Sequence, residues 1–181
     1  MLIEGKFNVK APIQKAWDNI LCTETLASCI PGCKKIELID KNTFETVVAA
    51  KVGSISVRFK FTTTLIEIKP PLYLKAIGKG AELNKAGTFN QESVISFKKV
   101  SDKETEVSYR SNIRIVGKLA AFGDRIMKAK AIVIGEQFSQ ALNNRLIGEI
   151  TVTPQLAVST PDMLSASLTG LKEKVTKIFR K

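Results

Sequence analysis

Apolar and polar residues alternate in short runs through the first two thirds of the chain, then change period. Ile3, Gly5, Phe7 and Val9 alternate with Glu4, Lys6 and Asn8, which predicts a half-buried strand. Pro12 suits the first turn of a helix, and Ile13 to Leu21, including Trp17, supply its apolar face. Thr23 is placed to cap a second short helix through Ser28, broken at Ile30-Pro31-Gly32. Strands follow at hairpin spacing. Ile36 to Ile39 and Phe44 to Val52 form a pair turning at Asp40-Lys41-Asn42. Val57, Phe59 and Phe61 alternate with Arg58, Lys60 and Thr62 in a strand running to Ile68 and stopped by Pro70-Pro71. Leu72 to Ile77 is next, ended by Gly78 and Gly80. Phe89, Gln91, Ser93, Ile95 and Phe97 share one face, and after a turn at Ser101-Asp102-Lys103 so do Val107, Tyr109, Ser111, Ile113 and Ile115.

From Gly117 to Ile147 the period becomes helical. Leu119, Phe122, Ile126, Ala129 and Val133 make one stripe; Met127, Ile134, Phe138 and Ala141 make a second beside it. Together they span roughly 200°, twice the usual apolar arc, so a long helix pressed deep into the molecule is expected. Asp124, Arg125, Lys128, Glu136 and Asn143 fall opposite. Gly123 lies within the apolar arc at a cost of about 1 kcal/mol relative to Ala, which suggests close approach to a neighbour. Lys130 lies between the stripes: either the helix is irregular there, or Lys130 stands at a cavity mouth with its stem buried.

One strand, two short helices, about six strands and a long helix fit a twisted antiparallel sheet wrapping that helix, an α+β architecture. Gln91, Ser93 and Ser111 are small or polar on faces otherwise full of Phe and Ile. They fit a cavity wall; alternatively they pair with each other or with backbone in a solid core.

The last segment differs. Thr151 to Asp162 has two prolines and no charge before Asp162, which reads as an extended linker reaching roughly 20 Å. The expected organisation is a domain over 1–150, a linker over 151–162 and an amphipathic basic helix over 163–181. In that helix Leu164, Leu168, Leu171, Val175, Ile178 and Phe179 recur at helical spacing, and Lys172, Lys174, Lys177, Arg180 and Lys181 cluster at the end. One apolar stripe with a basic remainder suits a membrane surface. Docking on a partner, or a frayed tail, are the other readings, and Gly170 weakens the free helix.

Composition narrows the chemistry. The chain has 181 residues, 44% of them hydrophobic, enough for one proper core and a tail. Lys and Arg number 28 against 17 Asp and Glu, a formal charge of +11, which favours anionic partners. His is absent, removing the commonest metal ligand and general base. Cys22, Cys29 and Cys33 are odd in number, consistent with a reducing compartment. Cys29 and Cys33 flank Pro31-Gly32 and read as packing around a sharp turn, short of the four ligands that zinc favours; no metal is expected. The N-terminus has no signal-peptide pattern, and no apolar run nears the roughly 18 residues of a spanning helix. Tyr73, Tyr109, Asp124 and Arg125 are the candidates for acid-base chemistry, yet their spacing gives no evident acid-base pair, so no catalytic residue is assigned. Arg58, Lys60, Arg110 and Arg114 could form a basic stripe across the sheet, but without aromatics on the same face nucleic acid is not the expected partner.

Particular residues carry a family resemblance. Ala11-Pro12 with Ala16-Trp17, Leu26-Ala27, Cys29-Ile30-Pro31-Gly32-Cys33, Val52-Gly53, and Gly117-Lys118-Leu119-Ala120 with Gly123 and Arg125 resemble the CoxG family, the G component of carbon monoxide dehydrogenase, over roughly residues 1–146. That family has the START-like (SRPBCC) helix-grip fold, whose members bind lipids, sterols and aromatic ligands. The resemblance implies an accessory protein, not the redox enzyme. It would link a molybdenum hydroxylase of the carbon monoxide dehydrogenase type to the membrane, at the inner face of the cell membrane as a peripheral cytoplasmic protein. With the membrane-seeking tail, the expectation is an apolar cavity carrying a respiratory quinone or another isoprenoid lipid. The expected wall is Phe59, Phe61, Phe97, Tyr109, Phe122 and Ile126, with Ser93 and Ser111 facing a polar headgroup. Anionic lipid would meet Leu164, Leu168, Leu171, Lys172, Lys174, Val175, Lys177, Ile178, Phe179 and Arg180. The alternatives are a recruitment adaptor without ligand and, further off, a cyclase- or dehydratase-type enzyme.

Overall fold

The computed structural model describes residues 1–52 and 55–151. The expected linker and tail helix, and Gly53 of the family-like segments, lie outside the described residues. Residues 1–151 form one compact unit.

The elements follow the sequence pattern. Strand β1 (Leu2–Val9) leads into helices α1 (Ile13–Leu21) and α2 (Thr23–Cys29). Strands β2 (Cys33–Asp40), β3 (Thr43–Val52), β4 (Ile55–Lys69), β5 (Tyr73–Glu82), β6 (Thr88–Ser101) and β7 (Glu104–Val116) follow. A 3₁₀ turn (Lys118–Phe122) and helix α3 (Gly123–Thr151, 29 residues) complete them. The seven strands form one antiparallel sheet in the order β1-β7-β6-β5-β4-β3-β2. Every neighbour except β1 and β7 is consecutive in the chain, so hairpins build most of the sheet and β1 closes it from the other end.

Local chemistry explains the joints. At the β2–β3 turn the Asn42 N–H donates to the Asp40 carboxylate at 2.9 Å, an Asx turn. Gly32 has φ +74° and packs against the Ala49 backbone, while the Ala49 N–H donates to the Gly32 carbonyl at 2.9 Å. The Pro31-Gly32 segment is therefore the helix-to-strand turn, with Cys29 buried on one side of it and Cys33 half-buried on the other. Thr23 is not a cap. It is the first helical residue of α2, and Cys22 stands at the N-cap without a side-chain capping bond.

Three expectations change. β5 does not end at Gly78 but runs through both glycines to Glu82. A Cβ on Gly78 would stand 2.8 Å from the Gln91 side chain, and one on Gly80 would stand 2.7 Å from the Phe89 ring. The glycines make room for large cross-strand neighbours. The long helix does not start at Gly117. Gly117 (φ 92°, ψ −163°) and Gly123 (φ 72°, ψ 158°) bracket the 3₁₀ turn, and both occupy a region essentially reserved for glycine. Nothing lies within 4 Å of a Cβ built on Gly123. Its role is to turn the backbone, not to admit a close neighbour. Finally, the stripe containing Ile126, Ala129 and Val133 faces away from the sheet: Ile126 is 49% and Val133 43% exposed. Met127, Ile134, Phe138 and Ala141 face inward.

The core sits under the C-terminal half of α3. Leu142 and Leu146 are fully buried among Val9, Ala16, Trp17, Leu65, Leu74 and Val107. Asn143 clamps this half to the end of β1: its amide donates to the Asn8 carbonyl at 2.8 Å, and its oxygen accepts from the Lys10 N–H at 2.9 Å. Burying such leucines contributes about 1.5–3 kcal/mol each.

Candidate functional site: the open end between sheet and helix

The inner face of the sheet changes character along its length. Near Trp17 it is solid. Phe97 is 4% exposed, its ring 5.2 Å from that of Trp17 and edge-on. Phe97 thus belongs to the core, not to a cavity wall. Further along, side chains shrink. The strand register sets Ala76, Ser93, Ser111 and Ile3 in one row and Gly78, Gln91 and Ile113 in the next. The Ser93 and Ser111 hydroxyls bond to each other at 2.8 Å, the pairing that sequence left open. One hydroxyl hydrogen of the pair is not used in that bond.

Beyond this row lies an aromatic group. Phe89 meets Phe59 edge-on at 5.7 Å and Phe61 at 5.5 Å, with Gly80 beneath. Phe59 also belongs to a second cluster built on buried Val57 and Leu119, which includes Phe122, Ile115 and Met127. Leu119 pins the 3₁₀ turn there, and its N–H donates to the Ala86 carbonyl at 3.1 Å. Phe59, Phe61, Phe89, Ile113, Ile115, Phe122, Met127 and Ile134 are all only half-buried. Sheet and helix face each other here without sealing.

Tyr109 separates the two ends. Its hydroxyl would stand 2.6 Å from a Cβ on Gly5 and 3.0 Å from one on Gly135. A glycine on β1 and a glycine on α3 leave space for one phenol that bridges sheet to helix, with Phe7 packed beside its ring.

At the open end a depression of about 450 Å³ lies where β7 passes the start of α3. Met1, Ile113, Ile115, Ala120, Gly123, Asp124 and Met127 line it, with Asn112 and Arg114. None of the eight predicted ligand residues does. Phe59 and Phe122 belong to the cluster behind it, through Ile115 and Met127; Phe61 and the serine pair lie deeper along the sheet; Phe97 is core; Ile126 faces out. Ile113, Ile115 and Met127 were visible to sequence as members of the β7 alternation and the inner helical stripe. What was missing was which stripe faces in.

The β5–β6 loop next to this end is held by a buried carboxylate. Glu82 is 3% exposed and accepts from the backbone N–H groups of Asn84 (2.7 Å), Arg58 (3.2 Å) and Ala86 (3.2 Å), and from the Asn84 amide (3.3 Å). Burial alone would raise its pKa. The bonds from Arg58, Ala86 and Asn84 outweigh burial and hold it below the ordinary glutamate value. Sequence offered no signal for this residue beyond its place at a strand end.

The acid-base candidates do not converge. Tyr73 lies on the outer face of the sheet beneath the Lys69 ammonium, 5.5 Å from its ring centre, Tyr109 lies on the inner face, and Asp124 and Arg125 are exposed. Carboxylates interrupt the basic stripe of the outer face: Lys60 pairs with Glu45 at 2.9 Å and Arg110 lies 3.8 Å from Glu4. Among the described residues, no helix is long and apolar enough to cross a membrane.

A seven-stranded antiparallel sheet gripping a C-terminal helix, with apolar space between them, defines a START-like helix-grip protein. A START superfamily protein from Mycobacterium smegmatis superposes with a TM-score of 0.64 at 13% identity, covering 82% of this chain and 98% of its own. A conserved protein from Geobacillus kaustophilus superposes with a TM-score of 0.77 at 23% identity, covering 82% and 97%. Residues 5–147 match the model of the CoxG family, the G component of carbon monoxide dehydrogenase, and the chain belongs to that family. No protein of curated function matches it.

Proposed function

We propose that this protein is an accessory carrier. It takes an apolar molecule, a respiratory quinone or another isoprenoid lipid, between the membrane and a molybdenum hydroxylase of the carbon monoxide dehydrogenase type. The family name is what points to the enzyme. The observation that supports a ligand is the half-sealed apolar end. A domain able to bury Leu142 and Leu146 completely leaves Phe59, Phe61, Phe89, Ile113, Ile115 and Met127 half-covered. Half-covered apolar surface of this kind is the usual lining of a small-molecule site.

In this reading Ile113, Ile115 and Met127 receive the isoprenoid portion, with Phe59, Phe61 and Phe89 behind them. The unused hydroxyl hydrogen of the Ser93–Ser111 pair donates to a quinone carbonyl. No covalent step is required of the protein, so the lack of a converging acid-base pair fits. The tail holds the carrier at anionic membrane through Leu171, Ile178 and their neighbours, with Lys174 and Lys177 adding about 1 kcal/mol each near the surface.

Native mass spectrometry of the full chain, purified without detergent from cells containing membranes, tests the ligand. The expected result is an added mass that organic solvent extracts as a quinone or isoprenoid lipid. A bare chain after incubation with quinone-loaded vesicles would leave the adaptor reading in its place.

A further inference from the structure

The first half of α3 carries an apolar ridge on the side away from the sheet. Ile126, Ile132 and Val133 are 49%, 41% and 43% exposed, and Ala129 between them is exposed too. Ala120 and Ala121 continue the ridge into the 3₁₀ turn. A helix apolar on both sides is expected where both sides are covered. The sheet covers one. Between Gly117 and Val133 the charged side chains are Lys118, Arg125, Lys128 and Lys130 against the single carboxylate of Asp124. Lys118, Arg125 and Lys128 are exposed, Lys130 is half-buried, and none of the four joins an ion pair among the described residues. The outer face of the sheet is built differently, with Lys6, Lys60 and Lys75 each paired to a carboxylate.

We infer that this ridge is a second membrane-contact site, on the domain itself, for the surface of a bilayer rich in anionic lipid. Exposed aliphatic side chains among unpaired cations match such an interface in both of its parts: the ridge enters the acyl boundary and the cations meet lipid phosphates. Charge complementarity favours lipid over a second copy of the chain, because two such ridges would bring like charges together. The location adds a consequence. Ala120, Gly123 and Asp124 belong both to the rim of the 450 Å³ depression and to the start of this segment. A domain lying on the ridge therefore holds its open end at the lipid surface, and the apolar molecule need not cross water. The inference rests on the carrier reading for that consequence, not for the contact itself.

The test uses the full chain with Ile132→Trp. The native Trp17 is 4% exposed in the core and gives a constant background. On vesicles of phosphatidylglycerol and phosphatidylcholine, the introduced indole should shift its emission to the blue and be quenched by brominated acyl chains. Neutral vesicles should produce neither change. Arg125→Gln with Lys128→Gln should weaken partitioning by roughly twenty- to thirtyfold, from about 1 kcal/mol per cation. In a chain that also carries Leu171→Glu and Ile178→Glu, quenching should persist at higher lipid concentration. Vesicle-bound protein whose introduced indole is not quenched would overturn the ridge site while leaving the tail as the contact. A blue shift of that indole in a species of doubled mass without lipid would assign the ridge to a second copy and overturn it as well. Failure to bind vesicles at all would overturn both contacts, while ligand found by mass spectrometry would still stand.

Discussion

The two halves of α3 are made of the same kinds of residue and do opposite things. Leu142 and Leu146 are fully buried, Asn143 ties the backbone to β1, and the surrounding cluster has Trp17 and Phe97 at its centre. Met127 and Ile134 face the sheet too, yet stay half-covered, and Ile126, Ile132 and Val133 face water. The difference comes from the sheet beneath. Under the C-terminal half the inner face offers Val9, Leu74, Phe97 and Val107; under the N-terminal half it offers a serine pair and two glycines in neighbouring rows. The short helices add to the contrast, since Ala16, Trp17, Ile20 and Cys29 join the cluster around Leu142 and Leu146 and none of them joins the cluster around Leu119 and Met127. One half of the helix holds the fold, and the other is left available.

Truncation separates them most strongly. Leu142→Ala or Leu146→Ala should cost about 2–5 kcal/mol, read as a lower denaturant midpoint at unchanged slope. Met127→Ala should cost much less, because its surroundings are already partly hydrated. Equal losses would mean that the two ends are equally packed. Next in size is Gly123→Ala. With open space around the position, the penalty is conformational alone, about 1–3 kcal/mol. Loss of stability with an unchanged core spectrum is expected, and no loss would mean that the break before α3 is not fixed.

Met127→Trp should act in the reverse sense from a core substitution. Overpacking a solid site costs about 1–3 kcal/mol, whereas a depression can take the added volume. Stability should change little while uptake of an apolar ligand falls. A large destabilisation with uptake intact would contradict the open end. The smallest effect is at Glu82. Its pKa is lowered in the folded state, so its contribution is full above the ordinary glutamate range and is lost as pH falls through the lowered folded value. Glu82→Gln should therefore be less stable than the native chain at neutral pH and approach it at the acid end. Parallel stability curves across that range would show that the carboxylate does not hold the loop.

Much of this was legible beforehand. Period-two alternation at Val57-Phe59-Phe61 and Val107 to Ile115 placed both strands and their inner faces, because a strand's sides are fixed by parity. The helix was harder. A wheel counts apolar residues but does not say which of two adjoining stripes meets the sheet, so Ile126 and Val133 were placed inward and face out. Glycine misled in both directions. Gly78 and Gly80 looked like a strand end and instead make room for Gln91 and Phe89; Gly123 looked like a close contact and instead sets a backbone angle. The open depression escaped for a related reason. It is framed by β7 and α3, whose residues come together only through the closing β1–β7 pairing and the turn at Gly123. The serine pair could be read either way from pattern, and its mutual hydrogen bond became visible only with the register.

The most direct test of the open end is a titration followed at methyl groups by NMR. With Ile, Leu and Met methyls labelled in the full chain, a short-chain quinone probe is added stepwise. Saturable shifts are expected at Ile113, Ile115, Met127 and Ile134, with Leu142 and Leu146 unmoved. Shifts confined to the Leu142–Leu146 core, or none at any of the four, would contradict the account.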